Sequence, residues 1–192
     1  MAESSQGIAY VGPLTLSVDT LPELLAKIDN PPDMVALDTE TISIEDRTCI
    51  GIGVAFSQTE AIYFEILPDR SPYISHLVNV ICNRSVLKVY HNALFDLDVL
   101  SSYADIIGWW PPIDTFNIGD SAILARLLAM PATLEYLAST ILNIVIAPYK
   151  EVVPSGYNSL DMAPDIMALK WLDECMATYG IWKPLLKELS IG

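Results

Sequence analysis

Met34-Val35-Ala36-Leu37-Asp38-Thr39-Glu40 is an apolar run of four residues that ends in two carboxylates. The run is short and follows the breaker Pro31-Pro32, so it is read as a central strand, apolar on both faces. In a strand alternate side chains share a face, which points Asp38 and Glu40 the same way, a few ångströms apart. Two carboxylates that close are costly unless a cation lies between them. A solvated strand end or a turn would carry the same three letters, so the pair alone does not decide for a site.

Working outward, Gly7–Leu16 reads as a short strand leading into a helix over Thr20–Ile28, capped by Asp19 or Thr20. Downstream, Ile50–Phe56 and Glu60–Ile66 read as two strands joined by Ser57-Gln58-Thr59. The spacing of Ile74, Leu77, Val78 and Ile81 predicts a helix over Pro72–Asn83. Val86–Tyr90 is a further strand, and Asn92–Tyr103 a helix directly after it. Beyond Trp109-Trp110-Pro111-Pro112 the pattern turns helical: Gly119–Met130, Thr133–Leu142, and Asp165 to Leu189. Between the last two, Ala147–Asp161 holds two prolines and Gly156 and is expected to be the mobile segment. This order predicts an α/β domain, with a mixed sheet of about five strands flanked by helices and a helical C-terminal half.

Composition narrows the class. With 192 residues, one domain over 1–192 is expected. Hydrophobic residues make up 52% and charged ones 18%, which excludes disorder, because that much apolar surface offsets the ordering entropy. No apolar run reaches the roughly 20 residues of a spanning helix. The start, Met-Ala-Glu-Ser-Ser-Gln-Gly, lacks the pattern of a signal peptide. Three cysteines without paired spacing argue against a disulfide framework or a zinc site, and suit a reducing cytoplasm. The net charge of −14 repels a nucleic-acid backbone. Two escapes remain: bound divalent cations that invert the local sign, or a partner that holds the nucleic acid.

Further acids stand out by their surroundings. In Tyr90-His91-Asn92-Ala93-Leu94-Phe95-Asp96 a strand runs into a helix, and Asn92 and Asp96, four apart, share a helix face. Asp98 falls on another side. Asn92 as a plain N-cap is the alternative, but Asp96 lies among Leu94, Phe95, Leu97, Val99 and Leu100, where a charge needs a reason. In the last helix Asp173 and Glu174 sit about 100° apart, so only one faces a given site. Cys175 reads as core, His76 as surface or packing, and Trp109-Trp110 as packing. Arg84, Lys88 and Arg126 are too scattered for a basic patch.

Val35-Ala36-Leu37-Asp38-Thr39-Glu40-Thr41 resembles the first motif of the DEDD superfamily of 3′–5′ exonucleases, and Asn92-Ala93-Leu94-Phe95-Asp96 resembles the second. The form is that of the proofreading exonuclease domains of family A (bacterial and phage) DNA polymerases. Asp120-Ser121-Ala122-Ile123-Leu124-Ala125-Arg126-Leu127-Leu128 and Thr133-Leu134-Glu135-Tyr136-Leu137-Ala138 resemble the helices between their second and third motifs. The resemblance implies an RNase H-like fold and a metal-dependent exonuclease. It implies two ions, Mg²⁺ or Mn²⁺, held by Asp38, Glu40, Asp96 and Glu174 as catalytic and metal-binding residues. Thr41 and Asn92 would touch the nucleic acid, a single-stranded DNA 3′ end with RNA left open. A polymerase domain or subunit is the implied partner, in a bacterial or phage-type cytoplasm.

The third motif departs from the family. Its members carry Tyr or His four or five residues before a final Asp. Anchoring on Ala177-Thr178-Tyr179 puts Glu174 at the acid and Lys170 at the aromatic position. Sliding one way gives Asp173 with Leu169, and sliding the other gives Cys175 with Trp171. No register supplies both residues, so a fold retained as a structural or binding module stands as the second reading.

Overall fold

A computed structural model of the chain describes residues 7–11, 21–43, 45–66, 74–107, 117–162 and 164–191. Six strands form one mixed sheet: β1 (Gly7–Val11), β2 (Met34–Thr41), β3 (Cys49–Ala55), β4 (Glu60–Glu65), β5 (Leu87–Tyr90) and β6 (Ile118–Asp120). Their order is β1-β4-β3-β2-β5-β6, so the strand with the acidic pair lies inside the sheet, as its apolar run requires. Seven α-helices accompany it among the described residues: α1 (Leu21–Asp29), α2 (Ile74–Ile81), α3 (Ala93–Ile107), α4 (Ser121–Leu127), α5 (Leu134–Leu137), α6 (Tyr149–Val152) and α7 (Pro164–Ile191). The expected mixed sheet flanked by helices is what forms.

Three stretches differ from the sequence expectation. Ile118–Asp120 is a sixth strand, not the start of a helix, because it pairs in parallel with Lys88–Tyr90 before α4 begins. The helix expected over Thr133–Leu142 divides into α5 and a π-helical turn, Ala138–Leu142, closed by Asn143 in the left-handed region at φ 57°. The segment expected to be mobile contains α6 and a 3-10 turn at Ser159–Asp161, and its Val153 is buried against α7 residues. The Tyr149 and Ser159 hydroxyls also meet at 3.0 Å. Asp19, Thr20 and Trp109-Trp110 lie outside the described residues.

The two faces of the sheet are built from different side chains. Val35, Leu37, Ile52, Val54, Ile62 and Phe64 face a core completed by α1, α2 and α3. On the opposite face the residues are Ala36, Ala55, Ala61 and Tyr63, and α7 packs there through Met167, Trp171, Leu172, Cys175 and Met176. Register extends this small-residue surface to the acidic pair, since Asp38 opposes Gly53 and Glu40 opposes Gly51 on β3. A Cβ on Gly51 would fall 1.6 Å from the Tyr63 hydroxyl, whose ring lies across that gap and stacks on Trp171 at 4.9 Å. At Gly53, where a Cβ would lie 3.6 Å from Cys175, α7 packs directly on β3 beside the carboxylates. At 28 residues it is about 42 Å long, enough to cross the whole sheet.

Candidate metal centre

Asp38 and Glu40 leave β2 on the α7 side, and α7 sends Glu174 to meet them. Each of the three offers a carboxylate oxygen within 4.8 Å of the others. Asp173, one residue earlier on the helix, is exposed and stays outside the group. One turn before Glu174, the buried Lys170 places its ammonium 2.5 Å from Glu174 Oε1. Lys170, which the resemblance puts at the aromatic position of the third motif, is therefore a cation among acids.

Asp96 arrives differently. The β2–β5 ladder ends at Ala36, paired with Val89, while β3 continues beside β2 as far as Thr41. That leaves the Thr39 amide without a strand partner, and the Asp96 carboxylate fills the place. Its Oδ1 accepts from Thr39 N and from Thr39 Oγ1, both at 2.8 Å. Asp96 is 2% exposed and stands in the first turn of α3, where the helix dipole favours a negative charge. The sequence reading expects Asp38, Glu40, Asp96 and Glu174 at one site. The structure groups Asp38, Glu40 and Glu174, and places Asp96 on the lining of the same cleft, tied to the Thr39 backbone.

These acids hold their protons abnormally well. Burial raises the Asp38 carboxyl, opposed by a hydrogen bond with Glu40 and by Lys170. Burial pushes Glu40 well above its usual range, and the charges of Asp38 and Glu174 push it further. Asp96 rises for the same two reasons, burial and then Asp38, against the Thr39 bonds. Burial and Asp38 lift Glu174 to about 7 despite Lys170. A cluster of this kind releases its protons when a cation enters. Its donors are carboxylate oxygens throughout, the hard set that Mg²⁺ and Mn²⁺ prefer. The residues present fit a divalent metal.

The acids floor a cleft of about 490 Å³, walled by Asn92 and Phe95 of the α3 end and by Arg126 and the 132–135 segment. Asn92 sits at φ 74°, a conformation Asn tolerates, and makes the corner from β5 into α3. Its partner is a residue the sequence reading passed over. Asp120 accepts from the Asn92 and Ala93 amides and also from the Ala122 and Ile123 amides, so one carboxylate caps α4 and anchors the start of α3. An Asp directly before an apolar helix is the signal that would have found it. Beside it His91 Nδ1 lies 2.9 Å from Ser121 Oγ, and burial lowers the imidazole's proton affinity. Arg126, set aside as scattered, lies on the cleft wall, whereas Lys88 is buried with its ammonium on the Asn83 carbonyl. Thr41 does not line the cleft; its hydroxyl donates to the Ser43 carbonyl, and Thr39 takes the lining position.

Among the remaining candidates, Asp98 pairs with Arg47 and His76 with Asp29, both at the surface. Cys175 is core, its thiol 3.3 Å from the Ala36 carbonyl. No described helix is long and apolar enough to cross a membrane.

A family model described as 3′–5′ exonuclease matches residues 16–168. No protein of curated function matches the sequence. Among solved structures, the catalytic core of RRP6 from Trypanosoma brucei superposes with a TM-score of 0.68 at 15% identity, over 99% of this chain and 51% of that one. NrnC of Brucella melitensis, with bound Mg²⁺, gives 0.67 at 18% identity over 96% and 83%. The polymerase Pol1 of M. smegmatis, in complex with DNA primer-template and dNTP, gives 0.62 at 15% over 96% and 28%. The chain thus spans about half the length of the trypanosomal core and under a third of the polymerase. At these identities the likeness is one of fold, the RNase H-like sheet of exonucleases.

Proposed function

The chain belongs to the 3′–5′ exonuclease family, and from that premise we propose that it is a metal-dependent exonuclease that removes nucleotides from single-stranded DNA 3′ ends. The observation that carries the reading is the convergence of Asp38, Glu40 and Glu174 within 4.8 Å on the floor of an open cleft. A divalent cation bound there supplies an activated water and neutralises charge on the departing 3′ oxygen. Asp38 and Glu40 hold it from the strand, and Glu174 from the helix opposite. Asp96 acts as the fourth acid from its place on the Thr39 backbone, where it orients the strand end and adds negative charge. Asn92 and Arg126 lie where a phosphate or sugar of the terminal nucleotide would pass. A net charge of −14 keeps duplex affinity low, so strand ends reach the cleft by way of the cation or a partner. A polymerase domain or subunit is the partner this reading favours, and the likeness to Pol1 supports it.

Turnover is expected to be slow. With Lys170 at the aromatic position, the chain has no acid–base group there to orient the water, a contribution typically on the order of 10²–10⁴-fold. The same ion pair favours the second reading, a retained fold that binds and does not cut. A 3′-labelled single-stranded DNA incubated with Mn²⁺ or Mg²⁺ separates the two. Stepwise shortening by the native chain, lost in the Asp38→Ala/Glu40→Ala variant, supports the enzyme. Equal and negligible shortening by both leaves the binding module.

A further inference from the structure

We propose that Lys170 is a resident cation filling one of the two cation places of the carboxylate centre, so that this chain takes a single divalent ion. The inference rests on the metal reading above and concerns the number of ions.

Helix stabilisation does not account for the Lys170–Glu174 pair. A Lys four residues ahead of a Glu is the less favourable order along a helix, and such pairs contribute when both groups are exposed. Here the Lys170 side chain is 4% exposed. Burying an ammonium is costly unless good partners surround it, and replacing it by an apolar residue of similar size is often neutral or stabilising. Its apolar neighbours on α7, Met167 and Trp171, belong to the core, and among the described residues the charge acts on acids alone, the exposed Asp173 as well as the site group. Nζ bonds Glu174 directly, and its field also reaches Asp38 and Glu40.

Charge balance then limits what else can enter. Asp38, Glu40, Asp96 and Glu174 carry four negative charges when ionised. Lys170 and one divalent ion leave one of them uncompensated, whereas a second divalent ion would make the centre net positive. Glu174, one of the three carboxylates that would hold an ion, already has an oxygen engaged by Nζ. Lys170 is thus a positioning residue: it holds Glu174 toward β2 and sets the ion count.

Mn²⁺ binding, read by isothermal titration calorimetry and by the free-ion electron paramagnetic resonance signal, tests this without any substrate. The native chain is expected to bind one Mn²⁺, with a second site weaker by about 100-fold or more than in the uncharged variants. Lys170→Met and Lys170→Gln are expected to bind two, and Lys170→Arg, which keeps the cation, to return to one. Should the uncharged variants unfold without metal, their refolding by added Mn²⁺ reads the same stoichiometry and is expected at two equivalents. Two ions bound by the native chain as tightly as by the uncharged variants, or one by both uncharged variants, would overturn the inference while leaving the metal centre standing. No ion bound by any form would overturn the metal reading as well.

Discussion

The two faces of the sheet use their residues for opposite ends. Toward α1–α3 the strands present Val35, Leu37, Ile52, Val54, Ile62 and Phe64, large side chains that fill space and keep water out. Toward α7 they present Ala36, Ala55, Ala61, Gly51 and Gly53, small residues apart from Tyr63, whose ring fills the space over Gly51 and stacks on Trp171. The thin face lets a helix distant in sequence come close enough for Glu174 to share a site with Asp38 and Glu40. One face supplies stability, and the other gives some of it up to bring Asp38, Glu40 and Glu174 together beside the buried Asp96.

The sharpest way to break this contrast is to strip the thin face of its charge. Asp38→Ala/Glu40→Ala is expected to lower 3′-end release by about a thousandfold or more, the scale of losing preorganised electrostatic groups. In EDTA the same variant should melt above the native chain, because mutual repulsion is gone. A lower melting temperature would mean that the pair supports the fold.

On the thick face Phe64→Ala should cost about 3–5 kcal/mol in urea unfolding, since Phe64 is fully buried. Mn²⁺ stoichiometry of the folded fraction should not change. A shift in that count would show that the two faces are coupled.

The acid cluster should also make stability depend on pH. All four carboxyls are raised, so between the ordinary carboxylate range and about 7 the folded chain binds more protons than the unfolded one. Their contribution is fully present at low pH and is lost as pH rises through the folded values. Metal-free melts are expected to fall from pH 5 to pH 8, with Glu174 contributing up to about 3 kcal/mol across that window. Glu174→Gln should flatten the curve, and saturating Mn²⁺ should reverse it. A metal-free melt that rises with pH in that range would contradict the cluster's electrostatics.

The smallest effect expected is at the cleft rim. Asp120→Ala removes the acceptor of four backbone amides at two helix starts and should cost about 1–2 kcal/mol. Substrate KM should rise with it, because Asn92 loses its anchor, while kcat changes less. A kcat loss larger than the KM change would place Asp120 in the chemistry.

Much of this architecture was legible along the chain, and the reasons are local. A four-residue apolar run between breakers and a carboxylate pair at spacing two identify β2 and the shared direction of Asp38 and Glu40, because strand period is a property of the backbone. An acid in the apolar surroundings of α3 marks Asp96 for the same kind of reason. The short strand β6 was not legible. Three residues carry no period, and what makes Ile118–Asp120 a strand is the free edge of β5.

Tertiary packing settled the remaining questions. Asp173 and Glu174 are equivalent by helical period, and the choice between them depends on which side of α7 meets the Ala/Gly surface of a sheet more than a hundred residues earlier. Asp96 turns to Thr39 because the β2–β5 ladder stops at Ala36, a register that no local pattern encodes. Lys170 reads in sequence as a misplaced residue in a broken motif. Closed in by α7 and the sheet, it becomes a buried charge that must find acids, and the acids are there because the same packing event brought them.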